Sequence, residues 1–447
     1  MTHKVKFTWL WFILGLGSET QVVASLSFSD AIVLMVAPFL FPKVVRGMRR
    51  DGVMFLWVLS VLLIVGCIVA CIENHCDSYY VIRGLAVTCI MSSSIIFGYW
   101  IMSADPGGVK WMLLGVALSM IICTFIFQHS GEITIAGGAG GKAAVDSIVS
   151  GPLFWITRVG AFLTLPTRGW YLHTSIIYDV FAILFLVVFS MVTSSSGRST
   201  ALGAIGAVVL ILIGGKTIRT MKRLGRHFFM FAAVAVVGIF VIHAAYRISA
   251  LNGWLGENAR VKYERQSNGS GSILRLIIGG RAESFVGLFA CCDKPIVGWG
   301  PWARDVNDYC ARFTYEYGTD DDIEAMKLNR AWLLSKGVSR GNFLIPCHSY
   351  ITEFWLWYGI FGLIFWLYVV FVIIRYLKSD AWAIPQWYGW LAAGMPAYLW
   401  NVFFSPFGHR VVNILIIVAC LMARAVKKGR SNLPQDMVVE IGRAERL

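Results

Sequence analysis

Apolar runs alternate with short polar or basic stretches along most of this chain. "VMFLWVLSVLLIVGCIVACI", residues 53–72, shows the pattern. Wound as a helix, such a run matches the ~30 Å hydrocarbon core of a bilayer. The apolar periods predict helices near 7–25, 28–46, 53–72, 80–103, 109–128, 174–193, 199–213, 228–246, 351–376, 383–402 and 410–426. The opening "MTHKVKFTWLWFILGLG" lacks a small-residue cleavage site before the next apolar run, so it is expected as a retained first helix and not a signal peptide. Two connections are long. One is 129–173, with the glycine-rich "AGGAGGKAA" inside it; the other is 247–350, of mixed charge with several aromatics.

Composition agrees with the pattern. Of 447 residues, 57% are hydrophobic and 14% charged, and the mean hydropathy is +0.67, whereas soluble domains carry roughly 25% charged residues. The net charge of +14 does not indicate a nucleic-acid binder, because the basic residues concentrate between apolar runs. "KVVRGMRRDG" (43–52), "GGKTIRTMKRLGR" (214–226) and "RAVKKGR" (424–430) have the character of cytoplasmic loops facing anionic membrane lipids. The ten cysteines include no C-x-x-C pair and so no zinc or redox motif. Cys291, Cys292, Cys310 and Cys347 share the long connection and could pair in an oxidising compartment.

The charge pattern also sets the crossings. With the N-terminus in the cytoplasm, "KVVRGMRR" falls inside and the acidic "CIENHCDSYY" (71–80) outside. From the other end, "RYLKSD" (375–380) and the basic tail belong inside, which puts 247–350 outside, "KTIRTMKRLGR" inside and "SSSGRST" (194–200) outside. The two halves disagree by one crossing. "SIVSGPLFWITRVGAFLTLPT" (147–167) is the candidate to supply it, and Arg158 at its middle suggests a tilted or broken helix lining a wet cavity. The expectation is an all-α polytopic membrane protein of about twelve transmembrane helices. Helices over 1–246 enclose the external loop 129–173 with its broken crossing. A large external loop over 247–350 follows, then helices over 351–428 and a cytoplasmic tail over 429–447.

On the outer face this topology gathers Arg198, at the mouth of the helix starting near Ser199, and His348 and Glu353, where the long loop returns. Within that loop "GGRAESFVGLFACCDKPIVGWGPW" (279–302) predicts a helix from about Arg281, ended by "DKP" and a "GWG" turn. Its stripe of Phe285, Leu288 and Phe289 is expected against the membrane or the bundle. Arginines grip phosphate oxygens in bidentate fashion, so Arg198 and Arg281 suit a lipid diphosphate and the charge that grows on it as a leaving group. His348 could take a proton from an attacking hydroxyl, and Glu353 could orient the ring or favour its protonated form. Plain structural alternatives stand beside each role. His348 could cap a helix, Arg281 could snorkel, Arg198 could flank a span, and Glu353 could favour a helix N-terminus. Trp299 and Trp302 could stack on sugar or anchor at an interface.

"SSSGRST", "GGRAESFVGLFACCDKPIVGWG" and "HSYITEFWLWYGIFGL" together resemble the successive signatures of the bacterial O-antigen ligase and polymerase superfamily. The pattern is a serine–arginine helix mouth, an arginine-led helix closed by Pro-x-x-Gly-x-Gly, and a histidine-led helix with a Gly-x-x-Gly pair. Two positions depart from it: Ser349 stands where asparagine commonly follows the histidine, and Gly197 intervenes before Arg198. The resemblance covers about 194–363. It implies a C-type glycosyltransferase fold in the bacterial inner membrane, with the active site facing the periplasm. It implies an undecaprenyl-diphosphate glycan donor, an acceptor that is lipid A–core (ligase) or another glycan (polymerase), inversion at the anomeric carbon, and no cofactor or required metal. By motif, Arg198 and Arg281 would contact the diphosphate and His348 would be the base.

Other motifs fail. "AGGAGGKAA" has Ala136 at the first glycine position and Ala143 after the lysine, so it is no phosphate loop. There is no G-x-S-x-G elbow. Asp320, Asp321 and Asp322 are expected as a solvated polar stretch. A transporter of polysaccharide or lipid-linked sugar is the alternative from another class, but its two halves should show corresponding broken helices, and these are not evident.

Overall fold

A computed structural model describes residues 7–17, 21–23, 26–109, parts of 111–118 and 244–267, then 282–318, 320–335, 343–377, 385–404 and 410–429. The helices expected between 119 and 243, the broken crossing at 147–167, Arg198, Arg281 and the tail from 430 lie outside the described residues.

The described chain is helical. Helix α1 (Thr8–Leu16) is followed by a short antiparallel pair, β1 (Gln21–Val23) with β2 (Leu26–Ser27). The helix expected over 7–25 therefore stops where the polar "SETQ" interrupts the apolar run. Helix α2 (Phe28–Asp51) opens with a capping box: Ser27 Oγ accepts from Asp30 N, and Asp30 Oδ2 accepts from Ser27 N. It runs past the expected 46, because Arg49 and Arg50 suit a helix C-terminus and Gly52 ends it in the left-handed conformation. Helices α3 (Val53–Glu73) and α4 (Ser78–Ala104) complete a set of three that are long and apolar enough to cross a membrane. Near the Gly52 turn the buried carboxylate of Asp51 accepts from Tyr99 Oη (2.8 Å) and pairs with Arg50 Nε (3.2 Å).

Four further helices carry the loop and its return: α5 (Ala282–Asp293), α6 (Tyr309–Tyr317), α7 (Asp320–Ser335) and α8 (Tyr350–Tyr358). Then come α9 (Ile360–Arg375), α10 (Pro385–Phe404) and α11 (Arg410–Lys427). Helix α4 sits at the centre, packed by α2, α3 and α11. Asp320, Asp321 and Asp322 open α7 with Asp320 exposed, and carboxylates in a first turn are favourable there. One expectation changes here. The single helix expected over 351–376 is broken at Gly359, whose φ of +60° favours glycine. A Cβ on Gly359 would lie 2.0 Å from Ile296 O. The two halves fold back on one another: the Phe354 ring meets Trp366 edge-on at 5.4 Å, and Tyr350 lies 5.1 Å from the same indole.

The break exists because loop 294–304 wedges into it. Ile360 N donates to Ile296 O, and Trp299 N donates to Leu356 O. The same loop grips the α3–α4 turn, where Lys294 Nζ and Gly298 O hold the two ends of the Asn74 amide and Arg304 pairs with Asp77. The acidic turn near 71–80 and the long loop therefore meet at one end of α3. Behind the wedge, Asp305 accepts from the backbone N–H groups of Tyr309 and Cys310, and Arg330 of α7 reaches Asp308 at 2.7 Å. Within the Phe285, Leu288 and Phe289 stripe, both phenyl rings touch Phe313 of α6, while Leu288 and Phe289 stay exposed. Helix α5 meets α8 with Gly287 and Cys291 instead.

Candidate functional site

Helices α5 and α8 bring two distant motifs together. Gly287 lets them approach, since a Cβ there would stand 2.9 Å from Cys347 Sγ and 3.2 Å from Thr352 Cγ2. Further along, Cys291 Sγ donates to Thr352 O, and Trp355 Nε1 donates to Pro295 O. At the N-terminus of α5 this alignment sets Glu283 Oε2 2.8 Å from His348 Nδ1. The leading end of α5 and the segment that begins at His348 thus meet.

His348 does not cap α8. That role falls to Ser349, whose Oγ accepts from Thr352 N and donates to Val402 O of α10. Ser349 is buried and ties the start of α8 to α10. His348 is left projecting from a fixed point, with its side chain 41% exposed. Nδ1 itself is buried, so that exposure belongs to the rest of the side chain.

The carboxylate paired with the ring is Glu283, a residue not singled out in the sequence. Glu353, expected in that role, is buried in the first turn of α8. It acts on Cys347, whose thiol is pushed up by burial first, then by the Glu353 charge, with smaller contributions from Cys291 and Glu283. Both carboxylates therefore border Cys347. Burial also raises the Cys291 thiol, and burial with Asp305 raises Cys310. Cys291, Cys292, Cys310 and Cys347 are all free, and the raised thiols are poor nucleophiles. Glu283 was hidden because an acid in a helix's first turn needs no partner to be favourable. Its signal was position: two residues past Arg281, on the turn that leads the helix.

On the Gly287–Cys291 side of α5, Ser284 is buried, and its hydroxyl has no hydrogen-bond partner among the described residues. Trp299 is buried too, with Nε1 donated to Ala290 O and its ring against Tyr309, so it anchors the wedge and is unavailable to a sugar. Trp302 is half-buried between Trp357, Tyr80 and the Arg83 guanidinium, whose carbon lies 4.0 Å from the ring centre.

No protein-family model, curated protein or solved structure matches this chain.

Proposed function

We propose that the protein is a membrane glycosyltransferase of the O-antigen ligase type, acting at the outer face of a bacterial inner membrane. The observation that carries this reading is the meeting of His348 with the leading end of α5, through Glu283, directly after Arg281. A helix N-terminus favours anions, and the unpartnered Ser284 hydroxyl on its first turn can donate to a phosphate oxygen. Arg281 and Arg198 would hold the diphosphate of an undecaprenyl-linked glycan. The acceptor hydroxyl gives its proton to His348 Nε2 as its oxygen attacks the anomeric carbon. The bond from that carbon to the diphosphate oxygen breaks with inversion, and the diphosphate leaves with the electron pair. Guanidinium groups stabilise the leaving charge without a metal or cofactor. Lipid A–core is the acceptor in this reading; a second lipid-linked glycan would make the same chemistry a polymerase.

The test is incubation of purified protein in lipid with an undecaprenyl-diphosphate glycan and candidate acceptors. One transfer onto lipid A–core is the expected result. A lengthening ladder of glycan would point to the polymerase form. Facilitated movement of the donor across vesicles with no new glycosidic bond would replace the reading with a transporter.

A further inference from the structure

We propose that Glu283 is the positioning carboxylate of His348, its charge set against Nδ1 so that the ring is stabilised once it takes the acceptor's proton; the reactive role of the ring rests on the transfer reading above. Three observations converge. Glu283 Oε2 lies 2.8 Å from Nδ1. Nδ1 is buried although the side chain is 41% exposed, so the contact with Glu283 is made at a ring atom shielded from solvent. The backbone on both sides of the contact is fixed, by the Gly287 approach on α5 and by the Ser349 cap and its bond to α10 on α8. A half-exposed ion pair contributes little to stability, so folding alone does not account for so well fixed a geometry. What the pair does supply is charge. A carboxylate 2.8 Å from the ring stabilises the imidazolium that forms when the ring takes a proton.

Other titratable groups border the pair. Glu353 lies in the first turn of α8, Cys347 is adjacent to His348, and Cys310 of α6 is close enough to feel the Glu283 charge. The test must therefore change Glu283 alone.

Diethyl pyrocarbonate acylates the unprotonated imidazole, and peptide mass spectrometry of the purified full-length protein reports His348 separately from the thiols. Glu283→Gln removes the charge and should move the midpoint of His348 labelling to lower pH by about 0.2–0.7 unit, the range a half-exposed pair supports. Glu283→Asp should restore most of the wild-type midpoint. In the transfer assay Glu283→Gln should lower kcat by about 10-fold or more, as loss of a residue that orients a reactive imidazole does, with KM for the donor unchanged. An unchanged labelling midpoint in a folded Glu283→Gln protein would overturn the proposal, as would full kcat in that variant. Labelling needs no substrate, so a shifted midpoint with no transfer from any donor would uphold the pairing and sink the transfer reading instead.

Discussion

His348 and Glu283 stand 65 residues apart in the chain and 2.8 Å apart in space. One leads into α8, the other sits in the first turn of α5, and the loop between them carries α6, α7 and the wedge that breaks the α8–α9 segment. The candidate site and the fold of the long loop are therefore one structure, and the predictions below separate their parts.

Gly359 should be the least replaceable glycine described. Gly359→Ala combines a left-handed φ with a Cβ 2.0 Å from Ile296 O, and a loss on the order of 3 kcal/mol or more is expected. Gly52→Ala has the same sign of φ but open space around it, and should cost only about 1 kcal/mol. Size-exclusion of detergent-solubilised protein after graded heating checks this. Equal survival of the two variants would mean the wedge does not depend on the break.

Asp305 ties α6 to the wedge through two backbone N–H groups. Burial, the largest influence, raises its carboxyl above the ordinary range, opposed by those two hydrogen bonds and by Arg330. A raised folded-state value means that the stabilising contribution is fully present below the unfolded carboxyl range and is lost as pH rises through the folded value. Acidification from neutral pH should therefore stabilise the wild-type loop relative to Asp305→Asn, whose amide oxygen still accepts but cannot titrate. Limited proteolysis between 305 and 335 across that pH range measures it. A difference that grows in the opposite direction would contradict the burial effect.

The long loop should lie outside the cytoplasm and the tail inside. In a cysteine-free background, Asp320→Cys should react with an impermeant maleimide in intact cells, since Asp320 is exposed at the start of α7. Asn432→Cys should react only after permeabilisation. The reverse pattern would invert the topology and move the site to the wrong face.

His348 and Arg281 should fail in different ways. His348→Ala should slow single-turnover transfer roughly 10²–10⁴-fold with donor affinity kept. Arg281→Lys keeps the charge but loses the planar fork, so activity should still fall substantially. A fully active His348→Asn protein would end the general-base assignment. Weak donor binding with normal chemistry in His348→Ala would move that residue to the diphosphate.

Transfer should persist in EDTA. The chelator assay in the same vesicles decides it: complete loss that magnesium or manganese restores would place an ion, and not the arginines, against the diphosphate.

Part of the described fold was legible in the sequence because apolar period and charge placement are local properties. The helices at 53–72, 80–103 and 410–426 lie close to where the pattern put them, and α5 covers Ala282–Asp293 of the helix expected from about 281. Termini were less secure, since a cap is a single side chain: Gly52 and the Ser27–Asp30 box set limits that hydropathy does not register. What only the tertiary structure decided were relations between distant segments. An unbroken apolar run gives no sign that loop 294–304 will press its carbonyl against Gly359 and fold the run back. Nor could spacing show which acid meets His348. Glu353 is five residues away in the first turn of α8, whereas Glu283 reaches the ring because α5 packs along α8 at Gly287. Helical periodicity places a residue on a face, but which other face it meets depends on packing across the whole chain.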